Sequence, residues 1–568
     1  MTLDASPGAR AAPVVRLALT LVIVGACILA AGCWRVYSNT WDEPEHLAAG
    51  VELLDRGIYE YDTEHPPLGR ILMALGPYLA GARSFDTPGP EGTREGVDIL
   101  YSGANYERYL TLARLGMLPF LALLLLVTWW WARALFASQG TALLAVLLLA
   151  SVPSILGNGA LASLDVPAAA TMLLAFYTLQ RWLVSGRYQD AVFFGLAAGV
   201  AVATKFSAVP FLGLALPLLA LLRLTAGSRA AAAAARQPRA ARGWLLGLAI
   251  VVVAALLPIL LVYGPRADAP AGVAVRFDWA VAYLLQERGL DHQFGVLLQH
   301  LWLPRPFKDL VNGVVAVKAH NDTGHLSFLL GQVSLTGWWY FYLVALAVKT
   351  PLPLLVAGIT GLAGLAWHGW GERNPWQVAP ALLVVTMLVF ASAFSRINIG
   401  IRHILIVYPF LALGAAWVVA RAWAALASAR APRIAMAGRT GLLALVAWQL
   451  STLATAYPDY LPYFNEAVAH PQSVLVDSDL DWGQDLRRLE WRAAQLKIAH
   501  LHLAYRGTAL LSKEPLPPFT DLPPNQPTTG WVAISALART RSPEDYAWTA
   551  AYQPVERVGK SIDLYYIP

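Results

Sequence analysis

Residues 40–46 read Thr40-Trp41-Asp42-Glu43-Pro44-Glu45-His46, and the acidic run they open continues to Glu64-His65-Pro66-Pro67-Leu68. The stretch directly follows the first long hydrophobic segment. Two adjacent carboxylates at a membrane surface are costly unless they are solvated, paired or used. Working outward from them, the chain supplies a greasy scaffold on both sides and a more polar end. The chain has 568 residues, 57% of them hydrophobic and 14% charged. A soluble protein carries about 25% charged residues, so the composition indicates a polytopic membrane protein.

Each apolar run of roughly 18 residues or more can span a bilayer. Eleven such segments are expected, near 17–34, 109–131, 140–156, 166–183, 190–204, 208–224, 243–263, 337–365, 376–394, 404–423 and 440–456. Basic residues set the orientation, because Lys and Arg collect in cytoplasmic loops. Arg10 and Arg16 precede the first span, Arg223, Arg229, Arg236, Arg239 and Arg242 cluster after the sixth, and Arg421, Arg430, Arg433 and Arg439 follow the tenth. This predicts a cytoplasmic N-terminus and an outer C-terminus. The net charge of +6 comes largely from these loops and is no nucleic-acid signature. The first span reads as a retained anchor. Cys27 and Cys33 both lie in it on different faces, so neither a disulfide nor a metal site is expected there.

Residues 1–456 thus form a membrane domain with a first outer loop over 35–108 and a second over 264–335. In the first loop, Leu47, Val51 and Leu54 share one face of a helix that starts near Pro44 and stops at Gly57. It reads as an amphipathic surface helix. Residues 68–80 read as a re-entrant or interfacial helix, and 84–104 as a flexible connection. The second loop, with Arg305, Lys308, Lys318, His320 and His325, should hold another surface helix. From 457 to 568 the composition turns polar, and a small α/β domain on the periplasmic side is expected. Strands are read at Val474–Val476, His500–Tyr505, Trp531–Ser535 and Leu564–Ile567, with a helix at Gln484–Leu496.

An acidic pair after the first span, followed by His65-Pro66-Pro67-Leu68-Gly69, resembles the GT-C superfamily of membrane glycosyltransferases. Protein O-mannosyltransferases and aminoarabinose transferases are the relatives it brings to mind. Ser163-Leu164-Asp165 resembles the family's second acidic position. Lys349-Thr350-Pro351, Gly400-Ile401-Arg402-His403, Tyr463-Phe464-Asn465-Glu466 and the run Asp477 to Leu486 resemble a bacterial branch. The chain has no obvious trefoil domain between spans seven and eight, in which it departs from O-mannosyltransferases. The resemblance implies an inverting glycosyltransferase of the bacterial cytoplasmic (inner) membrane. It would use a polyprenyl-phosphate sugar donor and an envelope glycan, lipid or protein acceptor, with no nucleic acid. A secondary transporter or a non-catalytic envelope-assembly protein is the alternative.

The chemistry needs few groups. A lipid phosphate is a good leaving group and needs cations more than an acid. The acceptor hydroxyl needs one base on the opposite face of the sugar, which gives inversion. Asp42 is the candidate base, with Glu43 beside it orienting a cation or acceptor; Asp42 as a mere helix cap is the bland reading. Asp165 is a second acidic candidate, and His65 is placed with it or as a loop organiser. Arg402, His403, Arg396, Lys349 and Lys205 are candidates for donor phosphate, against the bland reading that long cations snorkel to the interface. No cofactor is required by this scheme. His46 and His65 could join Asp42 or Glu43 around a divalent metal, but their spacing is irregular. The alternating Asp477, Asp479 and Asp481 lack the remaining positions of a calcium loop. Trp482 and Tyr463 are candidates for stacking on a sugar ring, with plain packing as the equal alternative.

Overall fold

The computed structural model describes residues 7–88, 91–225, 241–264 and 305–568. Helix α1 (Pro7–Gly32) leads into an outer loop that is not extended but folded. It contains α2 (Glu43–Arg56), α3 (Pro67–Leu79) and α4 (Gly92–Leu100). Gly57, in the left-handed region at φ 69°, ends α2 where the sequence places the stop. The surface-helix reading of α2 needs correction. Its polar side is as buried as its apolar side, with Glu43, His46 and Glu52 all below 5% exposed. The reason is α3 and α4, which pack on both flanks. Gly96 of α4 lies so close to Pro44 that an added Cβ would stand 1.8 Å from the Pro44 carbonyl oxygen. Residues 84–104, expected to be flexible, hold α4 because Glu95 accepts hydrogen bonds from Ser84, Phe85 and Thr87.

The membrane domain continues with α5 (Tyr106–Leu115), α6 (Leu118–Phe136), α7 (Gln139–Ala150), α8 (Pro153–Gly159), α9 (Asp165–Ser185), α10 (Tyr188–Thr204), α11 (Ala208–Thr225) and α12 (Ala241–Tyr263). Helix α13 (Arg305–Thr323) is the helix expected in the second outer loop, and a short hairpin, β1 (Ser327–Leu329) and β2 (Gln332–Ser334), follows it. Then come α14 (Phe341–Lys349), α15 (Leu352–Gly371), α16 (Pro375–Phe394), α17 (Val407–Ala427) and α18 (Pro432–Ala456). The protein is a multi-pass membrane protein. All eleven expected segments are helical, and among the described residues seven helices are long and apolar enough to cross a bilayer. Three segments are interrupted, the second by a turn at Gly116–Met117 between α5 and α6. The third bends by 65° between α7 and α8, where Pro153 opens α8. The eighth breaks at Pro351 between α14 and α15. Small residues let helices approach closely: a Cβ on Gly361 of α15 would fall 1.9 Å from the Gly414 carbonyl oxygen of α17.

The C-terminal part is a five-stranded mixed sheet. Strands β3 (Leu501–Ala504), β4 (Phe519–Asp521), β5 (Gly530–Ser535), β6 (Glu556–Val558) and β7 (Ile562–Ile567) are ordered β4-β3-β5-β7-β6. Strand β3 runs parallel to β4 and β5, while β7 is antiparallel to β5 and β6. Helix α19 (Leu486–Gln495) buries Leu486, Leu489 and Ala493 in one core layer, and α20 (Ala536–Arg541) contributes Ala538 to another. Val474–Val476 is not a strand. It joins two 3₁₀ turns, and the Val474 carbonyl accepts from Leu330 of the hairpin. Two edge strands, β4 and β6, are too short for a periodic signal.

The sheet domain is clamped to the first outer loop. Ser38 N–H donates to the Gln484 carbonyl at 2.9 Å and Trp41 N–H to the Trp482 carbonyl at 3.1 Å. The backbone just before Asp42 is therefore held by residues more than four hundred positions away.

Candidate active site

A cavity of 1430 Å³ opens between the loop that carries α2 to α4, the C-terminal ends of α10 and α16, the N-terminal end of α11, helix α13 and the sheet domain. Asp42, His65, Lys205, Arg396, Arg402 and His403 are on its wall. They come from four separate stretches of chain.

Asp42 occupies the N-cap position of α2, yet its side chain caps nothing; only its carbonyl accepts, from His46 N–H. The carboxylate is free to face the cavity. Its Oδ2 lies 2.7 Å from Nη1 of Arg402, and the side chain is 23% exposed. Arg402 sits in the 3₁₀ turn Ile401–Ile404 and also approaches Asp165 Oδ2 at 3.5 Å. Its guanidinium lies 4.4 Å over the Trp482 ring, which comes from the sheet domain and also lines the cavity. Lys205 follows α10 and holds Asp165 Oδ1 at 2.5 Å. Arg402 thus links Asp42 on the cavity wall to Asp165, which is buried behind it and also held by Lys205.

Several candidates are arranged differently from the sequence reading. Glu43, expected beside Asp42, points away from the cavity. It is 1% exposed and holds Arg114 through both oxygens, at 2.7 and 2.8 Å. Thr40 and Ala162 N–H groups donate to it as well. Burial opposes its charge, but Arg114 and these donors outweigh it and hold the carboxyl below its ordinary range. Glu43 is a structural anchor. Asp165 is 3% exposed and is absent from the cavity wall, so it acts on the site through Lys205 and Arg402. Lys349, expected at the donor phosphate, is fully buried elsewhere. Its Nζ donates to the carbonyls of Leu461 at 2.9 Å and Asp479 at 2.6 Å, tying the end of α14 to the C-terminal part. Arg396 lies on the exposed rim and donates to the Asp322 carbonyl at 3.1 Å.

The imidazoles of His403, His46 and His65 are all held below their ordinary range. Burial, then Arg402 and Lys205, hold His403 well below its ordinary value, and its Nδ1 meets the Tyr342 hydroxyl at 3.1 Å. His46 is likewise held far down by burial and then Arg70, whose guanidinium donates to its Nδ1. His65 is lowered by burial and Lys205 and lies 3.2 Å from Asp62. No cluster of three or more metal-ligating side chains occurs among the described residues. The three aspartates of the 477–481 run diverge. Asp477 lines the cavity, Asp479 accepts from Ile401 N–H, and Asp481 accepts from Leu537 N–H. Tyr463 is packed away from the cavity.

Sequence reading missed Arg114 and Arg70, both fully buried counter-ions in the outer loop framework. A signal existed for Arg114, since an ionisable residue at the mouth of an apolar run usually has a partner. It also missed Arg541, which reaches the cavity from the sheet domain, and the contact of His320 with Glu64.

Residues 20–266 match the family model of dolichyl-phosphate-mannose-protein mannosyltransferases. That region carries Asp42, His65, Asp165 and Lys205. The chain is similar to that family over this stretch, which is less than half of its length. The GT-C fold is shared with the S. cerevisiae protein O-mannosyltransferase Pmt1–Pmt2 complex bound to its sugar donor, at 11% identity and a TM-score of 0.51 over 78% of this chain and 90% of that one. ArnT from Cupriavidus metallidurans bound to undecaprenyl phosphate matches 96% of this chain and 97% of its own, at 15% identity and a TM-score of 0.46. The oligosaccharyltransferase AglB of Archaeoglobus fulgidus matches 77% and 55%, at 13% identity and a TM-score of 0.41. No curated protein matches the sequence. The cavity wall thus presents a partly exposed carboxylate, Asp42, in contact with Arg402, which in turn reaches the buried Asp165–Lys205 pair.

Proposed function

We propose that this protein is an inverting glycosyltransferase that moves a sugar from a polyprenyl phosphate to an envelope glycan, lipid or protein. The reaction would run on the outer face of the bacterial cytoplasmic membrane. Asp42 takes the acceptor proton, while Arg402 and Lys205 neutralise the departing lipid phosphate. His403 donates a hydrogen bond to the phosphate or orients Arg402. The observation that carries this reading is the 2.7 Å contact of Asp42 with Arg402 on the wall of the 1430 Å³ cavity. It brings the one partly exposed carboxylate of the acidic pair to a phosphate-binding guanidinium. A donor phosphate arriving at Arg402 would release Asp42 to act as base.

The experiment is sugar transfer in membranes from a panel of radiolabelled polyprenyl-phosphate sugars, comparing wild type with Asp42→Asn. Asn keeps the shape and removes the base. A loss of about a hundredfold or more is expected for a missing general base. Equal transfer by both proteins would remove Asp42 from the chemistry. Solute uptake that ignores the substitution would favour a transporter.

A further inference from the structure

Arg541 ends helix α20 of the sheet domain and reaches the wall of the same cavity, beside Trp41, Asp477 and Leu537. Helix α20 is pinned there: Leu537 N–H donates to Asp481 Oδ2 at 2.7 Å, and Ser535 caps the helix by accepting from Ala538 N–H. Arg541 is less well used than its neighbours. Its Nη2 is 3.5 Å from Asp477 Oδ2, which is long for a charge-assisted hydrogen bond. Its Nε, like that of Arg402, is buried without a partner. Its guanidinium stands 5.8 Å from the centre of the Trp41 ring. Arg402 and Lys205, by contrast, each hold one carboxylate closely, Asp42 at 2.7 Å and Asp165 at 2.5 Å. Asp477 interacts with both Arg541 and Arg402, so one carboxylate serves two guanidiniums. A fork of five N–H donors, three-quarters withdrawn from water, is under-satisfied with one long contact.

His325 lines the cavity and is held neutral, near 4, by burial, then His320 and Arg541. A neutral imidazole adds an N–H donor without a competing charge. Trp41 precedes the base Asp42 in the chain, and its ring lies under Arg541. Trp41, Asp42 and Arg541 line the same cavity.

We propose that Arg541, with His325 and the Trp41 ring, forms an acceptor subsite for an anionic group, a phosphate or a carboxylate, carried near the hydroxyl that is glycosylated. The subsite rests on the reading of Asp42 as the base. It would make the sheet domain the part of the protein that selects the acceptor.

The test uses the full chain in membranes with the radiolabelled donor panel and an acceptor extract titrated in. Labelled product freed of donor should bind an anion exchanger. Arg541→Gln should lower transfer about tenfold or more by raising the KM for acceptor, leave the KM for donor unchanged, and be partly rescued by Arg541→Lys. A neutral product, or a shift in donor KM instead, would overturn the subsite. A second measurement needs no turnover: calorimetric titration of the purified full chain with inorganic phosphate, and with glucuronate as the carboxylate probe. Arg541→Gln should lose a binding event that Arg402→Gln retains, and the stronger probe names the group. Unchanged binding in Arg541→Gln would also overturn the subsite. Binding lost in Arg541→Gln while the wild type transfers no sugar would count against the glycosyltransferase reading and not against the subsite.

Discussion

The Asp42 carboxylate lies 2.7 Å from the Arg402 guanidinium, although 360 positions separate them in the chain. Next to Asp42, Glu43 makes the same kind of pair with Arg114 but in a sealed environment. Neighbouring residues therefore serve opposite purposes. Asp42→Asn should fold normally and lose transfer. Glu43→Gln should unfold the outer loop, because breaking a buried ion pair costs about 3–5 kcal/mol. Thermal unfolding in detergent, measured beside transfer, separates the two; an inactive but fully stable Glu43→Gln would contradict the assignment.

Lys349 was a candidate for donor phosphate by sequence, and the structure makes it a clamp. Lys349→Met should leave the KM for donor unaltered. It should loosen the C-terminal part, since two buried carbonyls would each lose a donor at about 1–3 kcal/mol. Limited proteolysis around residues 457–485 reads the loosening. A raised donor KM with unchanged proteolysis would return Lys349 to the site.

Gly96 tests whether packing sets the site. Gly96→Ala would drive a methyl group into the Pro44 carbonyl, at 1.8 Å. Overpacking of this kind costs about 1–3 kcal/mol or more. Because Pro44 is two residues from Asp42, transfer should fall together with the melting temperature. Full activity at a lowered melting temperature would show that Asp42 is positioned from the sheet domain alone.

His320 of α13 meets Glu64 of the first outer loop at 2.8 Å, and the hydrogen bond to Glu64 raises its pKa above 6.5. A histidine raised on docking stabilises the docked state fully below its undocked pKa, and the gain is lost as pH rises through the docked value. Hydrogen exchange in residues 305–323 should therefore quicken as pH climbs above 6.5, beyond the intrinsic rate. His320→Gln should flatten that dependence. A profile identical in the two proteins would exclude the contact as a pH-sensitive tie.

Part of the candidate site was legible in the sequence. Asp42, Lys205, Arg402 and His403 were singled out from charge beside apolar runs, and the fold brings them to one cavity. Glu43, Asp165 and Lys349 carried the same local signal and are buried behind it. Charge next to a hydrophobic segment says that a group must be paired or used, but not which. Arg541 gave no signal, because an arginine near the end of a short helix in a polar domain is ordinary.

Read alone, the sequence locates the long apolar helices, makes the chain a membrane protein and puts an acidic loop after its first span. Those are consequences of hydropathy and charge along a line, and each residue reports its own preference for water. The tertiary structure alone decided which carboxylate faces the cavity. Side chains at 42 and 43 diverge by about 100° around a helix start, and only the packing of α3, α4 and the sheet domain against α2 sends one to Arg402 and the other to Arg114.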